Sequence, residues 1–216
     1  CLFVCLFVCL FVCLFVCFYT LIHDDDDFTH SCFFPLKPVL YADAYAIRKF
    51  VADGHNVIVS QSYSKNFGLY GERIGCLSVV TKDEEEASRV NSMLKASARA
   101  MYSNPPIYGA RIVSEILLCP DLKIKWAEEC AAMTARIIQM RESLRGELIR
   151  AGSSHNWDHV TQQAGMFCYS GLTKEQIGLL KDDYHIYCTD DGRISIAGVT
   201  SHNVAYLAKA IHEVTK

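Results

Sequence analysis

The sequence predicts an α/β protein with a smaller α+β region at its C-terminal end. From about Asp43 onward, short β-rich runs alternate with segments that carry apolar residues at helical spacing, an alternation typical of α/β folds. Hydrophobic residues make up 51% of the 216 residues, which is enough to fill a core and excludes disorder for most of the chain. The length allows one compact unit or two small lobes.

Two strands and four helices are predicted in the first part of this region. Residues 56–62 form a short β-rich run that we interpret as a buried parallel strand. The acidic run at 83–86 favours the start of a helix, because negative side chains there complement the helix dipole. In chain order, we expect a helix over 43–53, strands over 56–62 and 75–80, and helices over 83–101, 107–118 and 120–150.

The C-terminal part of the sequence predicts shorter elements. Runs of β-rich residues again alternate with amphipathic segments. We expect a strand over 166–170, a helix over 173–182, a pair of strands over 184–188 and 193–197, and a helix over 201–214. Short strands and helices mixed in this order are typical of an α+β lobe.

Charge and cysteine usage exclude several classes of protein. Lys and Arg together number 21 and Asp and Glu 24, which gives a net charge of -3 and argues against a nucleic-acid-binding protein. Of the 11 cysteines, those after Cys17 are scattered singly, without a C-x-x-C pair or a Cys/His ligand spacing. We therefore expect no metal site. Unpatterned cysteines fit an intracellular protein, so we expect a cytoplasmic location and leave an organellar one open.

Residues 1–40 stand apart from the rest of the sequence. Residues 1–16 are four copies of Cys-Leu-Phe-Val, and the apolar run extends to Ile22. Such a run could span a bilayer, but no Lys or Arg precedes it, and the repeated tetranucleotide TGTT, read in threes, encodes the same four residues. We therefore expect a low-complexity, non-homologous segment that arose from translated non-coding DNA, with an irregular linker over 23–40. A membrane anchor is the alternative, and membrane association is not expected.

The residues best suited to chemistry lie between Ser62 and Gly75. Lys65 follows a predicted buried strand, where desolvation would favour the neutral amine that carbonyl chemistry needs. The hydroxyl of Ser62 and the guanidinium of Arg73 are both suited to binding a phosphate. On spacing alone, a strand followed by a polar loop without a function is an equally good interpretation.

The segment from Ser62 to Gly75 resembles the cofactor-lysine motif of the class I aminotransferases. That motif has the form S-x-S/A-K-N-F/M-G-L-Y-x-E-R-x-G, and every fixed position of it is present here. The resemblance covers residues 41–216 and implies the pyridoxal-phosphate-dependent transferase fold-type I. It further implies that 41–132 are the C-terminal part of a large α/β domain, that 133–216 form a small C-terminal α+β domain, and that the full-length enzyme is a homodimer.

The same resemblance implies a cofactor site and a substrate site. Lys65 matches the lysine that binds pyridoxal 5'-phosphate covalently and moves the proton of the substrate α-carbon. Ser62 and Arg73 match the ligands of the cofactor phosphate. The implied reaction moves an amino group between L-aspartate and 2-oxoglutarate, with small dicarboxylic amino and oxo acids as substrates.

Two arginines match the residues that hold the two carboxylates of such a substrate. Arg193 matches the arginine that grips the α-carboxylate through a bidentate pair, and Arg99 matches the one that reaches the second carboxylate across the dimer interface. Phe167 matches a residue that lines the site. Two arginines suit a dicarboxylic acid, because each carboxylate loses hydration on entering the site and needs a planar cationic partner.

The sequence also departs from this family. It lacks the D-x-A-Y-Q-G segment whose acidic residue pairs with the pyridine nitrogen, because Asp43-Ala44-Tyr45 continues with Ala-Ile-Arg. The upstream phosphate loop and the aromatic residue that stacks on the ring are absent as well. The chain therefore resembles the C-terminal half of such an enzyme, and we expect an unpaired apolar edge on its sheet. It is either a partial record of a transaminase or a non-catalytic fragment, produced by a gene-model artefact or tethered to a membrane.

Overall fold

The computed structural model describes residues 2–6, 17–20, 44–103 and 106–216. The chain divides into two compact units, Cys1–Cys130 and Ala131–Lys216. The predicted linker over 23–40 lies outside the described residues. No helix within the described ranges is both long enough and apolar enough to cross a membrane.

Among its described residues, the first unit contains one sheet and the helices that come before and after its strands in the sequence. Its strands are β1 (Leu2–Leu6), β2 (Cys17–Thr20), β3 (Ile58–Ser62) and β4 (Gly75–Thr81). Its helices are α1 (Tyr45–Ala52), α2 (Glu84–Tyr102) and α3 (Tyr108–Leu118), and α4 (Pro120–Arg150) begins here and continues into the second unit. All six elements predicted for residues 43–150 are present, with ends that differ by two residues or fewer.

The four strands follow the order β2-β1-β4-β3, and all neighbours are antiparallel. The prediction of a buried parallel strand over 56–62 is therefore wrong on both counts: β3 pairs antiparallel with β4, and Ile58 is 69% exposed. A β-rich composition shows that a segment fits a pleated surface, whereas its partner and its burial depend on distant segments. Within the described residues, β3 forms the open edge of the sheet that the sequence predicts.

The opening repeat extends this sheet on its other side. Strand β1 pairs along β4, from Leu2 opposite Thr81 to Leu6 opposite Leu77. Val, Phe and Cys fit well on a pleated surface, and β4 offers an edge that a further strand can occupy. The repeat has a period of four residues, so a shift by one copy leaves the same residue types on the same face. The sequence of the repeat thus favours a strand without selecting one copy for it.

The second unit packs three helices and a two-stranded ribbon against the C-terminal part of α4. The elements are α5 (Asp158–Gln162), β5 (Phe167–Tyr169), α6 (Lys174–Tyr184), β6 (Arg193–Ser195), a 3-10 turn (Ile196–Gly198) and α7 (Val204–Val214). Strand β6 pairs antiparallel with β5, with Cys168 opposite Ile194. This ribbon is the only sheet described in the unit.

The predicted strand over 184–188 is wrong. Helix α6 continues to Tyr184 and ends at His185, which has a left-handed φ of 54°. The N–H groups of His185 and Ile186 bond back to the carbonyls of Lys181 and Leu180, at 3.2 and 3.0 Å. These bonds close the C-terminal end of the helix and use backbone donors that a strand would need. The predicted partner at 193–197 pairs instead with β5.

The two units have cores of different size. In the second unit, 17 buried residues form one cluster, in which Leu148, Leu180 and Ile211 are at most 1% exposed. In the first unit, the described cluster has five buried members: Tyr63, Ile74, Cys76, Ala110 and Val113. Two members of that smaller core, Tyr63 and Ile74, are the first and last residues of the loop that carries Lys65, so the core supports this loop.

Candidate active site

The loop between β3 and β4 carries Lys65 and is closed at its base. The N–H of Tyr63 donates to the carbonyl of Ile74 at 3.0 Å, which joins the first and last residues of the loop. The N–H of Gly68 donates to the carbonyl of Lys65 at 3.1 Å, and Gly68 has a left-handed φ of 67° that favours glycine. The main chain therefore turns sharply just after the lysine.

Aromatic packing fixes the turn from beneath. Tyr63 is buried and meets Phe67 edge to face, with ring centroids 5.1 Å apart. Phe67 stacks on Trp126 at 4.6 Å with an interplanar angle of 14°, and the indole N–H of Trp126 donates to the carbonyl of Asn66 at 2.8 Å. Both of these contacts lie next to Lys65 in the chain. The role of Trp126 was not predicted from the sequence, because a lone tryptophan near the start of a long helix carries no motif.

Helix α3 supports the other side of the loop. A Cβ atom at the buried Gly109 would lie 3.0 Å from the Cβ of Glu72 and 3.3 Å from the Cβ of Ile74. Only glycine allows this close approach without moving the segment. The neighbouring Arg73 has a left-handed φ of 51°, which is uncommon for a residue with a side chain. The backbone of Arg73 is thus held in place by contacts on both of its neighbours.

The three predicted cofactor residues lie on this loop or at its start. The Nζ of Lys65 lies 4.6 Å from the ring centroid of Tyr70, and the guanidinium of Arg73 donates to the carbonyl of Tyr70 at 3.2 Å. The hydroxyl oxygen of Ser62 accepts a hydrogen bond from the N–H of Ser64 at 3.2 Å. Lys65 and Arg73 are therefore both in contact with one residue, Tyr70.

Lys65 is exposed, and so are Ser62 and Arg73. The expectation of a desolvated amine at Lys65 is wrong for this chain. The cause is the position of β3 at the open edge of the described sheet, where no described strand lies beyond Ser62 to exclude water. The backbone of the loop is ordered by local contacts, but its functional groups face solvent.

Arg99 lies in the last turn of α2, away from the Lys65 loop in the sequence. The helix begins at Asp83, whose carboxylate accepts from the N–H of Glu86 at 2.7 Å. At the other end the guanidinium of Arg99 donates to the hydroxyl of Ser103 at 2.8 Å, and Ser103 has a left-handed φ of 63°. No contact between Arg99 and Lys65 is present among the described residues. Arg99 is an exposed cation at a helix end.

The second unit brings Arg193 and Phe167 together. The guanidinium carbon of Arg193 lies 4.9 Å from the ring centroid of Phe167. The two side chains share the exposed face of the β5–β6 ribbon, while Cys168 and Ile194 on its other face are buried. Phe167 and Arg193 are therefore both exposed on one face of the ribbon.

A glycine next to Arg193 anchors the ribbon. Gly192 has a left-handed φ of 82°, and a Cβ there would lie 3.1 Å from the hydroxyl of Ser170. That hydroxyl donates to the carbonyl of Gly192 at 2.8 Å. The close approach fixes the backbone at the point where the chain enters β6, and so it fixes the start of the Arg193 side chain.

The thiol of Cys168 is buried beneath the ribbon. Burial raises the pKa of this thiol, although the nearby guanidinium of Arg141 partly opposes that effect. The group therefore stays protonated near neutral pH and is 1% exposed. The described residues also contain no group of His, Cys, Asp and Glu side chains that could hold a metal ion.

Sequence comparisons find close similarity to aspartate aminotransferases. The chain is 58% identical over 174 residues to the mitochondrial aspartate aminotransferase of Arabidopsis thaliana, a match that covers 81% of the chain and 40% of that protein. It is 56% identical to the mitochondrial enzyme of Xenopus tropicalis, over 81% of the chain and 41% of that protein. The chain thus spans about two fifths of the length of these curated relatives.

Comparison with solved structures gives the same result. A mitochondrial aspartate aminotransferase from Trypanosoma brucei matches with a TM-score of 0.79 and 48% identity, over 82% of the chain and 46% of that protein. An aromatic-amino-acid aminotransferase from Burkholderia pseudomallei, covalently bound to pyridoxal phosphate, matches with a TM-score of 0.80 and 44% identity, over 82% and 44%. These similarities confirm the predicted α/β fold and its partial large domain.

A family model for aminotransferases of class I and II matches residues 27–211. The match includes the Lys65 loop, Arg99 and the ribbon with Phe167 and Arg193, whose geometry is described above. The match begins within residues 1–40, the segment that we predicted to be non-homologous, and includes residues 27–40. Because the match covers most of the chain, this protein belongs to the class I and II aminotransferase family.

Proposed function

We propose that this chain supplies the lysine-bearing part of an aspartate aminotransferase. That enzyme would move the amino group between L-aspartate and 2-oxoglutarate with pyridoxal 5'-phosphate as its cofactor. The observation that carries the proposal is the Lys65 loop, where an exposed amine, a hydroxyl and a guanidinium lie on one constrained turn. The 58% identity to an aspartate aminotransferase supports the choice of reaction.

The donors on the loop fit the cofactor. The oxygen of Ser62 already accepts a hydrogen bond from Ser64, so its own proton is available to a phosphate oxygen. Arg73 adds a planar cation that binds phosphate through two parallel hydrogen bonds. Lys65 would hold the cofactor aldehyde through its amine, with loss of water, and once the substrate amino group had displaced it, the freed amine would serve as the base for the proton on the substrate α-carbon. When bound, the cofactor supplies this aldehyde and an electron-withdrawing ring.

Arg193 and Arg99 are proposed to bind the two carboxylates of the substrate. Arg193 presents its guanidinium on an exposed face, with one side packed against Phe167, which leaves the edge of the planar fork open. Arg99 is exposed at the end of α2 and would act across the interface of a homodimer. An aromatic amino acid is the alternative substrate, since an aromatic-amino-acid aminotransferase is structurally as similar as an aspartate aminotransferase.

We also propose a cellular compartment for this protein. Of the two locations that the sequence leaves open, the mitochondrial relatives favour the organelle over the cytoplasm. The aspartate aminotransferase from the cytoplasm of Saccharomyces cerevisiae is 42% identical to the chain. The two mitochondrial relatives are 58% and 56% identical to it.

Reductive trapping tests the cofactor site. The 216-residue chain is incubated with pyridoxal phosphate, reduced with borohydride and mapped by peptide mass spectrometry. We expect label at Lys65 and little at Lys82, an exposed lysine of the same unit that lies 3.7 Å from the carboxylate of Asp83. The variant Lys65→Ala should lose the label, and Lys82→Ala should keep it.

Comparison with pyridoxal, which lacks the phosphate, isolates the roles of Ser62 and Arg73. We expect half-saturation at a concentration about tenfold lower for pyridoxal phosphate than for pyridoxal, because charged hydrogen bonds are worth about 1.5–3 kcal/mol. Arg73→Met should reduce this difference, leaving the part that Ser62 supplies, while the labelling by pyridoxal stays unchanged. Equal labelling of Lys65 and Lys82, or equal affinity for the two aldehydes, would contradict the proposed site.

A further inference from the structure

Arg141, in the middle of α4, is buried in the second unit. It is 3% exposed, and its guanidinium donates to three backbone carbonyls: Val160 at 2.7 Å, Gly165 at 2.8 Å and Phe167 at 2.5 Å. A buried guanidinium loses its hydration, so its position is retained only where acceptors replace that water. Here the acceptors come from the segment that leads into β5, and one of them is the carbonyl of Phe167 itself.

Arg136, five residues earlier on the same helix, bonds the other side of the ribbon. Its guanidinium donates to the carbonyl of Val199 at 2.8 Å and to that of Ala197 at 3.4 Å. Ala197 lies in the 3-10 turn that follows β6, and Val199 is the first residue after that turn. One helix therefore holds both the strand that carries Phe167 and the segment that leaves the strand of Arg193.

The ribbon needs such external support. Each of its strands has three residues, and an isolated two-stranded ribbon is at best marginally stable. Its inner residues, Cys168 and Ile194, are buried in the core. Its outer residues, Phe167 and Arg193, are exposed, and neither belongs to the described core cluster.

We propose that Arg141 and Arg136 are positioning residues that hold the Phe167 ring and the Arg193 guanidinium in register. They bond to backbone carbonyls on either side of the ribbon and so fix the distance between helix α4 and both strands. The consequence for carboxylate binding rests on the proposed function, in which Arg193 takes the substrate α-carboxylate. The geometric consequence, the 4.9 Å contact, does not depend on it.

Nuclear magnetic resonance of Arg193 tests the geometric part. A ring this close to the guanidinium shifts the side-chain proton resonances of Arg193, and Phe167→Leu gives the reference value without a ring. Arg141→Met should move the Nε proton of Arg193 at least halfway to that reference, and Arg141→Lys, which retains a donor, should restore part of the shift. A folded Arg141→Met variant with the wild-type shift would overturn the proposal.

Arg145→Met is the matched control. Arg145 lies one turn further along α4 but pairs with the carboxylate of Asp158, at 2.5 and 2.9 Å, rather than with the ribbon. It should leave the Arg193 resonance unchanged. If Arg141→Met does not fold, Arg136→Met replaces it, because the Arg136 side chain is exposed and its loss leaves the core intact. A wild-type shift in a folded Arg136→Met variant would contradict the proposal.

Titration with succinate, a simple dicarboxylate, tests the functional part on the same samples. We expect the Nε proton of Arg193 to respond to succinate in the wild-type chain, with an apparent affinity at least threefold weaker in Arg141→Met and unchanged in Arg145→Met. One outcome is that succinate leaves the Arg193 Nε resonance of the wild type unchanged while the ring shifts of the variants are as expected. In that case Arg193 does not bind the carboxylate, and the positioning role of Arg141 and Arg136 stands. If succinate binds equally to all variants, positioning does not serve ligand binding.

Discussion

The two units of this chain differ in how they support their candidate site residues. In the second unit, Phe167 and Arg193 lie on a ribbon that rests on a cluster of 17 buried residues and is bonded by two arginines of α4. In the first unit, the Lys65 loop rests on a described cluster of five buried residues, and the neighbouring β3 is exposed. The chain matches about two fifths of the length of its curated relatives.

This difference separates two requirements of a site. The backbone of the Lys65 loop is fixed by contacts within its own unit, such as the stack of Phe67 on Trp126. Exclusion of water from the amine needs further atoms on the open side of β3. Local packing can therefore preserve the conformation of a site without preserving the environment that tunes its chemistry.

The largest expected effect is a difference in stability between the units. The chain has two tryptophans, Trp126 in the first unit and Trp157 in the second. Trp126→Phe leaves a reporter for the second unit, and Trp157→Phe leaves one for the first. We expect the unfolding transition reported by Trp157 to have a urea midpoint about 1 M or more above that reported by Trp126, because the second unit has the larger described apolar core. Coincident midpoints would contradict this prediction.

A substitution in the larger core should act on one unit only. Leu144 is 2% exposed, and Leu144→Ala should lower the free energy of unfolding reported by Trp157 by about 2–5 kcal/mol. The control is Ile138→Ala on the same helix, where the side chain is 48% exposed and the cost should be far smaller. An equal loss in the Trp126 signal would mean that the units do not unfold separately.

Removal of the opening repeat should act on the other unit. Deletion of residues 1–40 removes β1 and uncovers the edge of β4. We expect the free energy of unfolding reported by Trp126 to fall by about 1 kcal/mol, through lost cross-strand contacts, while the Trp157 signal is unchanged. A point substitution is a weaker test, since another copy of the repeat could take the place of β1. An unchanged Trp126 transition would show that the repeat does not stabilise the sheet.

The smallest expected effect is a pH dependence within the second unit. The hydrogen bond from Arg145 lowers the pKa of Asp158, and the charge of Arg145 adds to this. A carboxyl with a lowered pKa contributes stability above its ordinary value of about 3.9, and this contribution is lost as the pH falls through the lowered value. The urea midpoint of Asp158→Asn should therefore differ from that of the wild type at pH 7 and match it in strong acid. Because the two side chains are 40% and 47% exposed, the difference should be small.

The sequence predicts most of the helices and the cofactor-lysine motif, but not the pairing of strands. Helices such as α2 follow from local signals, namely an acidic first turn and the cap at Asp83. The extension of α6 through Tyr184 depends on the left-handed conformation of His185, which is uncommon for a residue with a side chain. The direction of β3 depends on its pairing with β4 across the loop between them. Trp126 and Arg141 were missed for the same reason, because their role is set by the carbonyls that they reach. A single sequence gives no sign of those partners.

The most direct test of the account measures the rate of oxaloacetate formation per trapped Lys65. The 216-residue chain is supplied with aspartate, 2-oxoglutarate and pyridoxal phosphate, beside a full-length relative treated identically. The sequence lacks the D-x-A-Y-Q-G segment, whose acidic residue pairs with the pyridine nitrogen in the family motif. Single electrostatic groups of this kind are typically worth about a hundredfold in rate or more. We predict that the chain retains its label at Lys65 but turns over at less than about a tenth of the relative's rate. A rate within tenfold of the relative would show that other residues replace the missing partner, and would contradict the account.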